Sequence, residues 1–454
     1  FMFVSSDTNA IKETKMPGIR AFAQKPSRSV EHLIRNVREQ SQREALSTLK
    51  ERTKNENITD LEFLRSSKLF WAYSSRAKGA QYLQQNGWSP TSNIAEARLV
   101  WIRNNRRRYC AAHHGRQMLN HICGEDSMTN KLRLQANLKN YDIHHVGPND
   151  LSVRDIHPLS YSMSSKLECA ALFRENDPSS GPWIIKAADL SRGRGMDIFS
   201  DLSQLKKLFN YDEWRKECQH YEKKVVQHYL EDLFLIDGYK VETRSYWMIA
   251  SVKPLIALWH PGFVRRNAEK FVKGDWENKF RHITNYDQQE EHPDFERIKK
   301  DLKMPFERLQ HELANREVGG SRAFGEQGLV KRLKHILVRV CNATRTQFKP
   351  MDGTFGIYGA DFFLNNQGNV FLTEVQINPG IGYSNVIKEN IVVPMLSDAF
   401  AIAKSVHDIQ LDPNQSLTQW QLSDALKQSK SLKPSRWELI IHEAQGYFFD
   451  ERRD

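Results

Sequence analysis

The stretch 356–379 constrains the fold most, because two runs of β-forming residues flank a strong turn signal. The runs are G-I-Y-G-A-D-F-F-L and V-F-L-T-E-V-Q, and Asn-Asn-Gln-Gly-Asn lies between them. β-branched and aromatic residues favour strands, and a short polar segment that contains glycine favours a tight connection. The sequence therefore predicts a β-hairpin whose turn is centred between Gln367 and Gly368.

This predicted register places two acidic side chains opposite each other. Asp361 faces Glu374, Phe363 faces Leu372, and Gln376 shares the face of Glu374 because strand side chains alternate. Like charges directly opposed across a ladder are destabilising, and three oxygen donors on one face are typical of a magnesium site. A solvent-facing pair of acids is the alternative.

Length and composition predict a soluble protein of two or three domains or lobes. The chain has 454 residues, of which 39% are hydrophobic and 27% charged. Its longest apolar stretch, from Tyr246 to Trp259, is broken by Lys253 and Pro254, so no membrane span is expected. The polar and charged residues at the start of the chain predict no secretory signal.

The cysteines predict reduced thiols. They are odd in number and widely separated, which argues against a disulfide framework or a zinc ribbon and favours a cytosolic compartment. The five residues are Cys110, Cys123, Cys169, Cys218 and Cys341.

A formal charge of +11 favours an acidic partner. The stretch from Ala97 to Arg116 holds six arginines and no acid. Nucleic acid and an acidic polypeptide fit this charge equally well, and a solvated helical face is the third interpretation.

Hydrophobic periodicity predicts an α/β protein in which strands and helices alternate. Residues 30–66, with seven basic and seven acidic residues, predict a charge-balanced helix suited to docking. Residues 410–454 resemble a polar tail with one or two helices. Strands are expected at 183–187, 196–199, 224–230, 240–250 and 252–259, and helices at 327–347 and 385–407.

A lysine at the end of an apolar strand and a glycine-containing loop predict a phosphate clamp. Lys186 ends the strand W-I-I-K-A, and the loop S-R-G-R-G follows. Gly193 and Gly195 let backbone N–H groups surround an anion, while Arg192 and Arg194 add positive charge. A flexible surface loop is the alternative.

A second basic strand, K-V-E-T-R, places Lys240, Glu242 and Arg244 on one face. Two cations beside an acid suit the binding of phosphates and a carboxylate, and an inter-strand salt-bridge ladder is the alternative. The tetrapeptide His282-Ile-Thr-Asn285 is suited to hydrogen bonding with a ribose or a phosphate.

Taken in order, these motifs resemble the tubulin–tyrosine-ligase-like family from about residue 69 to about residue 407. They are W-I-I-K-x₄-S-R-G-R-G-M, V-V-Q-H-Y-L-x₅-I-D-G-Y-K-V-E-T-R-S-Y, H-I-T-N, G-A-D-F-F-L…F-L-T-E-V-Q-I-N-P, and L-N-H-I-C-x₅-T-N-K-L-R-L-Q-A-N-L-K-N-Y-D near the start. The segment N-P-G-x₄-N-V-I-K-E-N-I-V-V-P is most similar to the branch that elongates glycine chains.

The resemblance implies an α/β, ATP-grasp fold with an N-terminal α/β lobe and central and C-terminal ATP-grasp lobes. The expected domains are an N-terminal extension with the charged helix (1–66), the N-terminal lobe (67–150), the central lobe (151–250), the C-terminal lobe (251–408) and a tail (409–454).

The resemblance also implies site roles. Lys186 and the loop Ser191, Arg192, Gly193, Arg194 and Gly195 would hold the phosphates of ATP. Gln227, Tyr229 and Leu230 would line the adenine pocket, and Thr284 and Asn285 would lie near the ribose and phosphates. Lys240 would contact the nucleotide, Arg244 its γ-phosphate end, and Arg265 the acceptor or the incoming amino acid. Asp361, Glu374 and Gln376 would carry Mg²⁺.

Three positions depart from the family pattern. Glu242 stands where the family usually has Asp, Gln376 where it has Asn, and Ala187 where it often has Pro. Gln376 keeps the carbonyl oxygen but moves it one methylene further out, and magnesium requires near-octahedral geometry at about 2.0–2.1 Å.

The expected function is an ATP- and Mg²⁺-dependent ligase that adds a free amino acid, glycine before glutamate, to carboxyl groups of tubulin tails. Expected partners are tubulin and microtubules, without nucleic acid or membrane. The expected location is the cytoplasm, the cytoskeleton and the axoneme of a cilium or flagellum. The alternative is a catalytically weak or inactive relative that acts as a structural microtubule or axonemal protein.

Overall fold

The computed structural model describes residues 67–72, 78–103, 106–113, 115–145, 151–188, 193–316, 325–382 and 386–450. The expected charged helix within 30–66 lies outside these residues. The described residues belong to one compact unit within Leu46–Asp454. In that part of the chain, no helix is long and apolar enough to cross a membrane.

The first sheet is parallel and lies near the start of the described chain. Parallel strands need crossover connections, and two helices supply them, one between β1 and β2 and one between β3 and β4. The sheet order is β2-β1-β3-β4. Its strands are β1 Leu69–Ala72, β2 Ser89–Pro90, β3 Leu99–Trp101 and β4 Met118–Leu119; the helices of this region are α1 Lys78–Gln85, α2 Arg106–Ala112, α3 Asp126–Thr129 and α4 Lys131–His145.

The second sheet is antiparallel, in the order β5-β10-β6-β7, and it packs over its own apolar core. The predicted strands at 183–187, 196–199 and 224–230 are confirmed as β6, β7 and β10. The elements are β5 Ser160–Ser162, β6 Trp183–Ala187, β7 Met196–Phe199, β8 Tyr211–Asp212, β9 Glu217–Cys218 and β10 Lys224–His228, with helices α5 Val153–Ile156, α6 Lys166–Glu175 and α7 Leu202–Leu208.

The third and largest sheet is also antiparallel and has the path β16-β15-β12-β13-β17-β18, with β11 pairing β12 and β14 pairing β13. Its strands are β11 Leu235–Ile236, β12 Tyr239–Val252, β13 Leu255–Arg266, β14 Lys303–Pro305, β15 Gly356–Leu364, β16 Val370–Gln376, β17 Glu438–His442 and β18 Tyr447–Phe448. The helices of this region are α8 Lys279–His282, α9 Tyr286–Gln289, α10 Phe295–Ile298, α11 Phe306–Ala314, α12 Gly325–Thr344, α13 Val386–Gln410 and α14 Leu422–Leu426.

Alternation along β12 gives the large sheet two apolar faces. Two neighbouring positions illustrate this: Trp247 belongs to the core that packs against α12, and Tyr246 belongs to the core that packs against α13. A strand buried on both faces needs helices on both sides, and the predicted helices at 327–347 and 385–407 provide them. The α/β, ATP-grasp-type architecture expected from the sequence is thus confirmed.

The hairpin β15–β16 confirms the pairing of Asp361 with Glu374. The predicted pairing of Phe363 with Leu372 is wrong, because Phe363 pairs with Phe371.

The turn and one bulge explain this difference. The turn is centred on Gln367, where the Asn365 amide donates to the Asn369 carbonyl at 3.0 Å and Gly368 takes a left-handed φ of 83°. Near the turn each residue of β15 therefore pairs with a residue one position earlier in β16 than predicted. Beside Asp361 a bulge places Thr373 as an extra residue in β16, and this bulge brings Glu374 back opposite Asp361.

The C-terminal segment differs from the predicted polar tail. It contains the short helix α14, but it also adds β17 to the large sheet through β13, so it is part of the sheet. β12 likewise starts at Tyr239 and lies in the large sheet, although the predicted boundary between central and C-terminal lobes falls at 250/251. The domain boundaries themselves stay a prediction.

The prediction of reduced cysteines is wrong for four of the five residues. Cys110 and Cys123 form one disulfide, and Cys169 and Cys218 form another. Sequence separations of 13 and 49 residues concealed these pairs, because the fold alone brings α2 to the loop before α3 and α6 to β9. Among the described residues Cys341 is the remaining thiol, and it is buried.

Candidate functional site

The basic face of β12 lies at the centre of the candidate site. Lys240, Glu242 and Arg244 are each more than nine-tenths buried, and their side chains contact residues of α8, β13, β15 and two loops. Asp361 lies directly opposite Arg244 in the ladder, and Arg265 directly opposite Glu242. The period-two alternation predicted for K-V-E-T-R is therefore confirmed.

Asp361 is held by two arginines. Both the Nε and the Nη2 of Arg244 donate to its carboxylate, the latter at 2.7 Å, and the Nη2 of Arg265 donates to Oδ2 at 2.8 Å. Arg265 also donates to Glu242 at 2.5 Å. The alternative of an inter-strand salt-bridge ladder thus describes real contacts, while the alternative of a solvent-facing acid is wrong for Asp361, which is 2% exposed.

These contacts set the charge states of the acids. Burial alone would raise the pKa of Asp361, but the guanidiniums of Arg244 and Arg265 outweigh it and lower that pKa. Burial raises the pKa of Glu242, against the attraction of Arg265 and a 2.5 Å hydrogen bond from the Thr284 hydroxyl. The site therefore holds two acids in unlike environments within one ion-pair cluster.

Lys240 is enclosed by aromatic rings and oxygen acceptors. Its Nζ donates to the Tyr229 hydroxyl at 2.9 Å and to the His282 carbonyl at 2.8 Å. The rings of Tyr229 and Phe363 each have their centroid 4.4 Å from that nitrogen. Burial lowers the pKa of Lys240 to about 7, so the cation is available at neutral pH but is easily deprotonated.

Lys186 projects from β6 beside Gln227 of β10. Its Nζ donates to the Gln227 Oε1 at 2.7 Å, and Gln227 in turn donates to the Ser160 hydroxyl at 2.8 Å. Burial lowers the pKa of Lys186 to about 8, although Glu374 acts in the opposite sense. Gln227 therefore orients the lysine head, a role that the sequence did not predict.

A buried histidine joins the second sheet to the hairpin. The Nδ1 of His157 bonds to the Leu372 carbonyl at 2.6 Å, and its Nε2 lies 3.3 Å from the Gln227 amide. Burial lowers the pKa of His157 to about 4, so its ring is neutral at physiological pH. The sheet that carries Lys186 is thereby tied to the strand that carries Glu374.

The glycine loop contacts the H-I-T-N segment. Gly193 and Gly195 have left-handed φ values of 72° and 66°. A Cβ at Gly193 would lie 3.3 Å from the Cβ of Asn285, so the loop comes close to the residue that caps α9. Arg194 is exposed, while Ser191 and Arg192 lie outside the described residues.

The lobe connection carries the remaining predicted nucleotide contacts. The backbone amide of Tyr229 donates to the Pro182 carbonyl at 2.8 Å, and Leu230 is half-buried beside it. The side chain of Tyr229 faces Lys240 and His282, so it shapes the site through these two residues.

Two lysines near the site were missed by the sequence interpretation. Lys131 forms an ion pair of 2.9 Å with Glu374, and Lys303 stands over the Tyr286 ring at 3.3 Å on a strand that pairs with Arg265. Burial lowers the pKa of Lys303 to about 8. The sequence Thr129-Asn130-Lys131 contained a signal for this position. Asparagine is a preferred N-cap residue, so Asn130 predicts that the helix begins at Lys131.

The donor set suits a hard divalent cation that arrives with phosphates. Asp361, Glu374 and Gln376 supply two carboxylates and an amide on one face of the hairpin, and Mg²⁺ prefers oxygen ligands. No group of three His, Cys, Asp or Glu side chains able to hold a metal occurs in the described ranges, and both carboxylates pair with cations of the chain. The surrounding lysines and arginines favour an anionic ligand such as a nucleotide phosphate.

The sequence matches known proteins over this same region. Residues 109–415, more than half of the chain, match the Tubulin-tyrosine ligase family. The match starts in α2 and includes the described site residues named above.

Individual relatives are distant. The rat protein polyglycylase TTLL10 is 22% identical over 364 residues, which cover 74% of this chain and 53% of the relative. The mouse tubulin polyglutamylase TTLL5 is 23% identical over 299 residues, 63% of this chain and 21% of the relative. Tubulin glycylase 3B from Tetrahymena thermophila is 29% identical over 217 residues, 48% of this chain and 18% of the relative. The chain spans about half the length of the TTLL10 relatives it matches.

Proposed function

The chain belongs to the tubulin-tyrosine ligase family, and on that premise we propose that it is an ATP-dependent ligase that joins amino acids to carboxyl groups of tubulin tails. The observation that carries the proposal is the buried cluster of Arg244, Arg265 and Asp361, with Lys240 on the same strand as Arg244 and Lys186 on β6 of the second sheet. Burying this many cations costs folding free energy unless an anionic ligand helps to neutralise them.

The proposed nucleotide contacts are those that the family resemblance implies. Lys186 and Lys240 contact the phosphates, with the loop around Gly193 covering them. Thr284 and Asn285 lie towards the ribose and phosphates, and Gln227, Tyr229 and Leu230 border the adenine. Arg244 meets the γ-phosphate, and Arg265 meets the acceptor or the incoming amino acid.

The proposed chemistry has two steps. An acceptor carboxylate oxygen attacks the γ-phosphorus of ATP, the bond to the β–γ bridging oxygen breaks, and ADP leaves. The amine of the amino acid then attacks the acyl carbon of the resulting acyl-phosphate, losing a proton as inorganic phosphate leaves and the amide forms. Arg244, Lys186 and Lys240 neutralise the charge that develops on the phosphoryl oxygens.

Asp361, Glu374 and Gln376 would hold Mg²⁺, which supplies Lewis-acid neutralisation of phosphate charge when bound. The buried side chains of the described site would bind and orient the substrates and neutralise phosphate charge. The proposed chemistry needs no side-chain nucleophile. The oxygen donors of the hairpin are therefore assigned to the metal, and the β12 cations to the substrate phosphates.

The finer assignments rest on the relatives. Glycine is the favoured amino acid and glutamate the next, because the relatives include proteins named polyglycylases and polyglutamylases. Tubulin and microtubules are the proposed partners, and the cytoplasm, cytoskeleton and ciliary or flagellar axoneme the proposed location. The charge of +11 suits an acidic tail.

A catalytically weak, structural microtubule protein is the second candidate. Two observations favour it: the longer side chain of Gln376 at a metal position, and the tight engagement of Asp361 and Glu242 by arginines. If the ion pairs hold the acids of the site, the site would not turn over, and the protein would act by binding the microtubule.

One assay separates the two candidates. Microtubules are incubated with the protein, Mg-ATP and labelled glycine, glutamate or tyrosine in turn, beside the Glu374→Gln variant. We expect incorporation of glycine above the other two, lost in the variant. Microtubule binding without incorporation of any amino acid would support the structural role, and a large gain in Gln376→Asn would show that the native amide limits turnover.

A further inference from the structure

The acids of the hairpin each have a cation that the chain itself supplies. Asp361 pairs with Arg244 and Arg265, which belong to the same sheet. Glu374 pairs with Lys131, which comes from α4 after the first sheet. This second pair differs from the first because it joins the hairpin to a helix outside the large sheet, and its side chains are 10% and 16% exposed.

The position of Lys131 is fixed by the start of its helix. It is the first residue of α4, and the preceding Asn130 caps the helix by accepting hydrogen bonds from the amides of Leu132 and Arg133 at 3.1 and 3.2 Å. Near the other end of α4, Asp142 accepts a 2.6 Å hydrogen bond from Arg339 of α12. A helix held at both ends places the lysine head reproducibly beside the hairpin.

The contact occupies one oxygen of Glu374. The lysine Nζ lies 2.9 Å from Oε1. In the described part of the chain no hydrogen bond or ion pair to Oε2 is found, so that oxygen is available to a ligand. Two positive groups that share one carboxylate repel each other, and the repulsion is strong where water is largely excluded.

We propose that Lys131 is a positioning residue that holds Oε1 of Glu374 and competes with a divalent cation for this carboxylate. The cation then binds well only together with the phosphates of the nucleotide, whose negative charge offsets the lysine. This inference rests on the proposed function, because it takes Glu374 as a metal ligand.

The test measures Mn²⁺ binding to the full chain by electron paramagnetic resonance, with and without the non-hydrolysable nucleotide AMP-PNP. For the parent protein we expect weak binding of Mn²⁺ alone and clearly tighter binding with the nucleotide. Lys131→Met should tighten the binding of Mn²⁺ alone by about tenfold, the size typical of removing one like charge a few ångströms away. Lys131→Arg keeps the charge and should resemble the parent.

A double-mutant cycle shows whether the effect acts through Glu374. In a Glu374→Gln background, Lys131→Met should change the Mn²⁺ affinity by clearly less than tenfold, because only the direct repulsion between lysine and cation remains. Circular dichroism checks that each variant is folded, and Lys131→Gln replaces the methionine variant if that one does not fold.

Unchanged Mn²⁺ affinity in the folded methionine or glutamine variant would overturn the inference, and so would an effect of the same size without the Glu374 carboxylate. In both cases the parent still binds Mn²⁺ with the nucleotide, and the proposed function stands. Failure of the parent to bind Mn²⁺ with the nucleotide would overturn the metal assignment and this inference together.

Discussion

Asp361 and Glu374 face each other across one hairpin, yet their surroundings give them different roles in stability. Asp361 is 2% exposed and neutralises two buried arginines, whereas Glu374 is partly exposed and holds one lysine. Removing one partner of a buried ion-pair network leaves uncompensated charge, and the cost grows with burial and with the number of cations left unpaired.

We therefore predict that Asp361→Asn lowers the free energy of unfolding by about 3 kcal/mol, because Arg244 and Arg265 lose their shared anion. Glu374→Gln should lower it by less, because only Lys131 loses a neutralising charge and the amide keeps an oxygen acceptor for it. Both should abolish ligation. Urea denaturation followed by tryptophan fluorescence gives the two values, and equal losses of stability would contradict this account of the pair.

The two buried lysines predict how nucleotide affinity depends on pH. Burial lowers the pKa of Lys240 to about 7 and that of Lys186 to about 8. A phosphate binds the protonated form and raises the lysine pKa in the complex. Affinity should thus be greatest below pH 7 and fall as pH rises between the free and the bound pKa, by up to about tenfold per unit for each required proton.

Lys240→Arg isolates one contribution, because a guanidinium stays charged throughout this range. In that variant the decrease in AMP-PNP affinity should begin only near pH 8, where Lys186 loses its proton. Calorimetric measurements of AMP-PNP affinity for parent and variant between pH 6 and 9 make the comparison. Protonation of AMP-PNP itself changes both affinities equally, so it cancels in their difference. Identical pH profiles would exclude Lys240 from the nucleotide site.

At the scale of elements, the turn of the hairpin depends on Gly368. Its φ of 83° is strained for a residue with a β-branched side chain, while Asn tolerates this conformation. Gly368→Val should cost about 1–2 kcal/mol of stability and Gly368→Asn clearly less. Thermal unfolding compares the two, and ligation by the folded fraction should persist because Asp361 keeps its partner Arg244 on β12. Equal costs for the two substitutions would show that the turn conformation is unimportant.

The sequence predicted what local patterns determine. Alternation predicted the shared face of Lys240, Glu242 and Arg244. The turn residues predicted the hairpin, but Asp361 and Glu374 lie opposite each other only because the bulge at Thr373 offsets a turn centred on Gln367. The bulge at Thr373 was not predictable, because an extra residue in a strand leaves the alternating composition almost unchanged.

Contacts between distant elements were missed for a different reason. The ion pair of Lys131 with Glu374, the two disulfides and the pairing of β17 with β13 each join segments whose proximity depends on the whole fold. Strand β17 is short and follows a polar segment, so its own residues gave little signal for a sheet. Gln227 is intermediate: its strand was predicted, but its hydrogen bond to Lys186 depends on the register between β6 and β10.

At the scale of the whole molecule, two sheets and one helix contribute residues to the candidate site. The second sheet supplies Lys186, the large sheet supplies Lys240, Arg244, Arg265 and the hairpin acids, and the helix that follows the first sheet supplies Lys131. If the proposed function holds, the reaction proceeds through an acyl-phosphate, since the buried cations suit the charge of phosphates and no side-chain nucleophile is required.

The most direct test uses a synthetic acidic tail peptide whose acceptor carboxylates carry ¹⁸O. The peptide is incubated with the protein, Mg-ATP and glycine, glutamate or tyrosine in turn, and the released phosphate is analysed by mass spectrometry. We expect one ¹⁸O atom in the phosphate for each amide formed, because a carboxylate oxygen becomes the bridge of the acyl-phosphate and leaves with phosphorus. Amide formation with unlabelled phosphate, or no amide with any of the three amino acids, would contradict the proposed ligase mechanism.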